Sequence, residues 1–295
     1  MRRALNGAKI FLGSWAIKGR LDRESNNVSV ELIDVWKSYD GVQALRGLNL
    51  EVYRGEIFGL IGPNGAGKTT TLKIIVGLLK MDRGIVRVNG VDIYEEPYEY
   101  KRFIGYVPES VSLPDYLTVE EFLIYSGKIR RVPDDQIKKR INDLVKLFGL
   151  EEKRRALIVS LSRGMRQKVA IASALIHDPD LLILDEPFTG IDPVGQRILK
   201  DLFNERIKSG KTVFISTHML DTAERLCNRV AIIYKGQNIA SGDLKNLQQF
   251  SKTGENATLE EVFLKLTEEA KEQHIEENLE EKRRNFFSIL RRRLL

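Results

Sequence analysis

Apolar and polar positions change period several times along the chain, and each change predicts an element. Within residues 28–53, the runs VSVELIDVW and ALRGLNLEV alternate in the manner of strands with one covered face. Asp40-Gly41 between them is a turn dipeptide, so the two runs predict an antiparallel pair. IFGLI (57–61) is short and continuously apolar, as a strand covered on both faces is. After it Leu72, Ile75, Val76 and Leu79 recur at helical spacing. GIVRVNG (84–90) and FIGYVP (103–108) read as further strands, the second ended by Pro108. From Thr118 to Leu150 the period turns helical, through Val119, Phe122 and Leu123 and then Ile137, Ile141, Leu144, Leu147 and Phe148. LLILD (181–185), TVFIST (212–217) and RVAIIY (229–234) are brief apolar runs separated by helical stretches. The expected fold class is α/β: a mostly parallel sheet, an antiparallel β subdomain on its N-terminal side and a helical subdomain inserted at about 93–176.

The turn leaving IFGLI reads Gly62-Pro63-Asn64-Gly65-Ala66-Gly67-Lys68-Thr69-Thr70 and fits the phosphate-loop (Walker A) spacing G-x-x-x-x-G-K-[ST]. Residues with small side chains let successive backbone N–H groups converge on one hollow, and a helix starting near Lys68 adds its positive end. Such a hollow suits a polyphosphate. Lys68 is expected to reach the β- and γ-phosphates, Thr69 to take one position on Mg²⁺ and Thr70 to face the α-phosphate. LLILD delivers Asp185 and Glu186 at the C-terminal end of a buried strand, where open α/β sheets place ligands. Asp185 is expected to hold Mg²⁺ through water, and Glu186 is the candidate base that orients or activates an attacking water.

Composition narrows the partners. The 295 residues, 42% hydrophobic, contain no apolar run near the roughly 18 residues that span a bilayer and no apolar block near Met1 like a signal peptide, so a cytoplasmic location is expected. The lone cysteine, Cys227, excludes an internal disulfide and reads as a small packed hydrophobe. The net charge of +6 is unevenly spread: residues 1–27 hold six basic and two acidic groups, and residues 268–295 hold seven of each. The body between them is only weakly charged and offers no footprint for nucleic acid.

Further patches point to one class of phosphate-loop protein. Leu161-Ser162-Arg163-Gly164-Met165 resembles the LSGGQ signature of the ATP-binding cassette (ABC) family, Gly190-Ile191-Asp192 its D-loop, and Ser216-Thr217-His218 the segment with its switch histidine. Tyr39 stands where that family has an aromatic residue stacked on adenine, and Gly105-Tyr106-Val107-Pro108-Glu109 where it has its glutamine loop. Taken singly, each has a plainer reading: Ser162 as a helix cap, Tyr39 as a half-buried sheet aromatic, His218 as a strand-end histidine. Their joint order matches the family over about residues 28–245.

The resemblance implies a head-to-tail dimer with a second ATP-binding subunit, in which ATP with Mg²⁺ lies between Lys68 of one copy and Ser162 and Gly164 of the other, with Asp192 also at the nucleotide. Thr69, Glu109 and Asp185 are the implied metal positions, and Glu186 and His218 the catalytic ones. Two departures stand out. Glu109 replaces the usual glutamine, keeping an oxygen but adding charge, and Arg163 and Met165 replace the first Gly and the Gln of the signature, while Ser162 and Gly164 remain.

A single cassette, together with the YVPE and LSRGM variants and the late segment ATLEEVFL (257–264), resembles ATP-binding subunits of prokaryotic multidrug and antibiotic-resistance type exporters. That implies a separately encoded membrane permease as partner and a peripheral position at the inner face of the cell membrane. The rival reading is a soluble cassette ATPase uncoupled from transport. A chromosome or repair ATPase carries a long coiled-coil insertion, whereas Lys68 and Ser162 are only 94 positions apart. The organisation expected is a basic extension (1–27), an ABC ATPase domain (28–245) and a C-terminal helical extension with a charged tail (246–295). In that tail residues 268–281 carry net −6 and residues 282–295 net +6. The basic half, with Phe286, Phe287, Leu290 and Leu294, reads either as a contact with the anionic membrane surface or the permease, or as a solvated arm folding back on the acidic half.

Overall fold

The computed structural model describes residues 27–272. The expectations for residues 1–26 and for the basic tail at 282–295 therefore lie outside the described residues. In chain order the strands are β1 (Val28–Tyr39), β2 (Val42–Tyr53), β3 (Ile57–Ile61), β4 (Arg83–Val88), β5 (Val91–Asp92), β6 (Ile104–Val107), β7 (Leu181–Asp185), β8 (Thr212–Thr217), β9 (Arg229–Tyr234) and β10 (Gln237–Gly242). The helices are α1 (Lys68–Ile75), α2 (Val119–Ile129), α3 (Asp134–Leu147), α4 (Arg163–Leu175), α5 (Pro193–Lys208), α6 (Leu220–Leu226) and α7 (Leu244–Ser251), with a last helical run at 259–272.

Two sheets face each other. β1 and β2 pair antiparallel around Asp40-Gly41, as the alternation predicts, and continue into a four-stranded sheet ordered β2-β1-β4-β5. The second sheet is ordered β10-β9-β3-β8-β7-β6, parallel from β9 to β6 and closed by the antiparallel β10. Successive residues of its central strands serve opposite cores, because side chains alternate across a strand. Leu181, Ile183 and Phe214 join the core under the antiparallel sheet, whereas Leu182, Leu184, Val213 and Ile215 pack beneath α2–α5. Phe58 and Phe214 meet edge to face in the first core, centroids 5.3 Å apart, an arrangement adding about 0.5–1.5 kcal/mol beyond burial.

The helical stretch begins at Thr118, whose hydroxyl accepts from Glu121 N while the Glu121 carboxylate accepts from Thr118 N, a reciprocal cap that satisfies two donors. Leu123, Ile137, Ile141 and Val145 bury the facing stripes of α2 and α3. The apolar spacing after the phosphate loop overstates one helix: α1 closes at Ile75 with Val76 as its cap, and Leu79 packs against the core from beyond its end. Cys227 is partly buried, packs against two cores, and has its thiol pushed up to about 12 by burial and then by the Glu56 charge. Among the described residues no helix is long and apolar enough to cross a membrane.

Candidate functional site

β3 and β7 flank β8 with their C-terminal ends at the same edge of the sheet, and that order assembles the site. Ile61, the last residue before the phosphate loop, registers with Thr217, and Asp185 registers with Ser216. The phosphate loop (62–67) then turns into α1. Gly67 takes φ 109°, and a Cβ there would lie 2.8 Å from both the Ala44 carbonyl oxygen and Leu45 Cδ2, so a side chain is excluded on conformational and steric grounds. The loop is buttressed by the turn between β9 and β10: Gly236 N donates to Ala66 O, and Arg46 N donates to Gly236 O, each at 2.9 Å.

Lys68 is buried, and its ammonium donates to Gly62 O at 2.7 Å and Pro63 O at 3.2 Å. Burial pushes its pKa down, opposed by the charges of Glu186, Asp185 and Glu109. The charges of three carboxylates from two strand ends thus reach one lysine. Thr69 Oγ1 donates to Asp185 Oδ2 at 2.8 Å, and the Ser216 hydroxyl donates to Asp185 Oδ1. Glu186, 7% exposed, receives Thr217 Oγ1 at 3.2 Å on Oε2 and His218 Nδ1 at 2.8 Å on Oε1. With Nδ1 donating, the His218 Nε2 stays available on an imidazole that is 58% exposed.

The donor set is all oxygen. A threonine hydroxyl and a carboxylate meeting at 2.8 Å suit a hard cation that keeps several waters and takes other ligands from substrate phosphates. Among the described residues no group of three or more His, Cys, Asp or Glu could hold a metal ion. The residues therefore fit Mg²⁺ brought by a nucleotide.

Tyr39 ends β1 at the hairpin whose return strand carries Leu45 against Gly67; it is 42% exposed, with Lys37 Nζ 5.5 Å from its ring centre. Ser162 caps α4, its hydroxyl accepting from Met165 N at 3.3 Å, so the plain reading of that serine holds geometrically and leaves its proton free to donate. Gly164 packs under the D-loop: a Cβ on it would lie 2.9 Å from Gly190 O. Asp192 caps α5 through Gly195 N at 2.8 Å and pairs with Lys168 Nζ at 3.0 Å. Signature and D-loop are thus one contact unit within the chain.

Several groups at the site are not specified by motif. In Ser216-Thr217-His218 the motif singles out the histidine, yet the two hydroxyls hold the two carboxylates; hydroxyl residues closing the strand beside LLILD are the local signal for them. Gly236 carried no motif at all. The Tyr106 hydroxyl is buried with no hydrogen-bond partner among the described residues, and burial followed by the Asp185 charge pushes its pKa to about 12.

Comparison with known proteins gives the same answer from a separate direction. A family profile described as "ABC transporter" matches residues 45–189, which include the phosphate loop, Glu109, the signature, Asp185 and Glu186. The chain is 38% identical over 213 residues to the ABC transporter ATP-binding protein NatA of Bacillus subtilis (strain 168), covering 72% of this chain and 87% of that protein. It is 38% identical over 231 residues to the Nod factor export ATP-binding protein I of Cupriavidus pinatubonensis, covering 78% and 71% respectively. A solved structure of an ATP-binding subunit of an ABC transporter superposes with TM-score 0.77 at 35% identity, over 81% of this chain and 99% of that one. The ATP-binding cassette MJ0796, solved as a dimer in a post-hydrolysis state bound to ADP and Pi, superposes with TM-score 0.67 at 28% identity, over 73% and 98%. On these similarities the chain belongs to the ABC transporter family, as its ATP-binding, ATP-hydrolysing domain.

Proposed function

We propose that this chain is the ATP-driven subunit of an exporter, working through a separately encoded permease, and that Glu186 is its catalytic base. The observation that carries the reading is the placement of Glu186: buried, adjoining Asp185, and held on both oxygens at the end of β7 within the electrostatic reach of Lys68. Each carboxylate oxygen has a lone pair left after accepting one hydrogen bond, so Glu186 can still take a proton from an attacking water. Gly62, Pro63, Asn64, Gly65, Ala66 and Gly67 offer backbone to the phosphates. Lys68 exchanges its two loop carbonyls for β- and γ-phosphate oxygens, Thr70 faces the α-phosphate, and Tyr39 takes the adenine face. Thr69, Asp185 through water, and Glu109 would hold Mg²⁺, which supplies charge neutralisation at the β- and γ-oxygens. His218, hinged on Glu186, presents Nε2 to the γ-phosphate.

The site is completed by a second copy or a related subunit, whose Ser162 hydroxyl and Gly164 N–H close over the nucleotide, with Asp192 beside it. The dimeric cassette that superposes on this chain supports that arrangement. Export is supported by the Nod factor export relatives, and the helical subdomain at 93–176 is the element offered to the permease. The protein then works at the inner face of the cell membrane. The charge-segregated tail supports a further contact there, with the basic residues 282–295 on anionic lipid. Salt-sensitive loss of liposome binding on deleting 282–295 checks it, and equal partitioning at low salt rejects it.

The test of the central assignment is Glu186→Gln in the full chain. Turnover is expected to fall by ~10²-fold or more while ATP still binds and an ATP-bound dimer accumulates. Parent-like turnover in that variant overturns the assignment. Co-purification of a membrane protein in detergent tests the permease, and its absence from an active, correctly folded preparation favours the soluble alternative.

A further inference from the structure

Both site carboxylates are held from a single neighbouring strand. β8 runs between β3 and β7, and its last residues each grip a different atom: Ser216 holds Asp185 Oδ1, Thr217 holds Glu186 Oε2, and His218, just beyond, holds Glu186 Oε1. The two donors on Glu186 differ in kind. The His218 side chain is 58% exposed beyond the end of β8, whereas Thr217 is 1% exposed and lies within the strand.

The Thr217 hydroxyl is itself oriented. Its oxygen accepts from Met219 N at 3.0 Å, which leaves its single proton for Glu186. Glu186 in turn needs outside support. It sits at φ 49°, a left-handed backbone that a non-glycine residue keeps only where its surroundings impose it. The terminal torsion of a glutamate is intrinsically broad, so a donor on one oxygen sets the plane of the carboxylate only when the other end is also restrained.

We propose that Thr217 is a positioning residue for hydrolysis: its buried hydroxyl holds the Glu186 carboxylate by Oε2, so that the plane and the remaining lone pairs of the base stay aimed when His218 moves. The proposal rests on Glu186 acting as the base. Thr217 is bonded to Glu186 and to Met219 N, and it acts through Glu186. Loss of its hydroxyl therefore slows the hydrolytic step and leaves ATP binding alone.

The experiment compares Thr217→Val, Thr217→Ser, Glu186→Gln and the Thr217→Val/Glu186→Gln double variant in the full chain, measuring kcat, KM and equilibrium ATP affinity. Losing one charge-assisted hydrogen bond is expected to lower kcat about 10-fold in Thr217→Val, with KM and ATP affinity within about twofold of the parent. Thr217→Ser restores the donor and is expected to recover kcat to within about threefold of the parent, and the double variant to be no slower than Glu186→Gln alone. If the valine variant does not fold, as thermal unfolding will show, Thr217→Ala carries the same expectations without extra bulk. A parent-like kcat without the hydroxyl, a serine variant as slow as valine, or a KM that rises in step with the rate loss overturns the proposal. Parent-like turnover in Glu186→Gln removes the base assignment and this proposal with it; a slow Glu186→Gln beside a fast Thr217→Val removes the positioning role alone.

Discussion

Gly236 donates its backbone N–H to Ala66 O at 2.9 Å, joining the turn between β9 and β10 to the middle of the phosphate loop, 170 positions earlier in the chain. Gly236 has φ 79°, and a Cβ there would lie 2.5 Å from Ala44 O. Gly236→Ala is expected to lose about 1–2 kcal/mol to the left-handed backbone alone, more once the carbonyl contact is relieved, and to weaken ATP binding as the loop loses its buttress. Thermal unfolding and a nucleotide titration check both; an unchanged Tm with unchanged affinity rejects the buttress.

Tyr39 presents an exposed ring at the hairpin beside the loop, with Lys37 Nζ 5.5 Å from its centre. Tyr39→Ala is expected to weaken ATP binding by roughly 1–2 kcal/mol, the size of an aromatic contact, and Tyr39→Phe to keep most of it. Unchanged affinity in the alanine variant would make Tyr39 a sheet residue only.

Asp192 does two jobs within the chain before any nucleotide is considered: it caps α5 and pairs with Lys168. Its pKa is held down by the Gly195 N–H first and then by Lys168. Asp192→Asn keeps a capping oxygen and loses only a half-exposed ion pair, so its stability cost is expected to stay under about 1 kcal/mol, whereas Asp192→Ala costs about 1–2 kcal/mol. If both variants lose ATPase activity alike while Asn keeps the stability, the carboxylate acts at the nucleotide as well as at the helix.

His177 supplies a pH prediction. Burial first, then the charge of Arg130, with Arg206 and Arg140 adding to it, pushes its pKa down to about 4, although its Nε2 hydrogen bond to Ile104 O pulls the other way. The folded pKa lies below the unfolded value near 6.5, so the unfolded chain binds the extra proton between the two. Stability tied to this group is therefore complete above about pH 6.5 and is lost as pH falls toward 4. His177→Gln removes that dependence. Urea unfolding at pH 7 and pH 5 is expected to show the parent losing about 1–2 kcal/mol more than the variant over that interval. Parallel losses would mean that His177 titrates normally.

Much of this molecule is legible from local pattern. The period-2 runs of β1 and β2, the continuous apolar strands β3, β7 and β8, and the shift to helical spacing at Thr118 follow from which faces each segment must cover. The phosphate loop and Asp185-Glu186 are contiguous in sequence, so their chemistry can be recognised without knowing what lies next to them. Local pattern fails where the answer depends on a neighbour. Leu79 keeps the spacing of α1 but falls outside it, since the apolar period continues into whatever segment covers the same core.

Sequence by itself determined the principal strands and helical stretches, the hollow for a polyphosphate and the pair of carboxylates, because each is specified by spacing within a few residues. Only tertiary structure decided what holds them. Strand order put β8 between β3 and β7, and a parallel register, set by long-range pairing, placed Ser216 opposite Asp185 and brought Thr217 and His218 onto Glu186. In the same way a turn far along the chain was brought under Ala66, and the Asp192 cap was brought to Lys168. A hydroxyl or a glycine says nothing in sequence about which atom it will meet; that partner exists only once the sheet has closed.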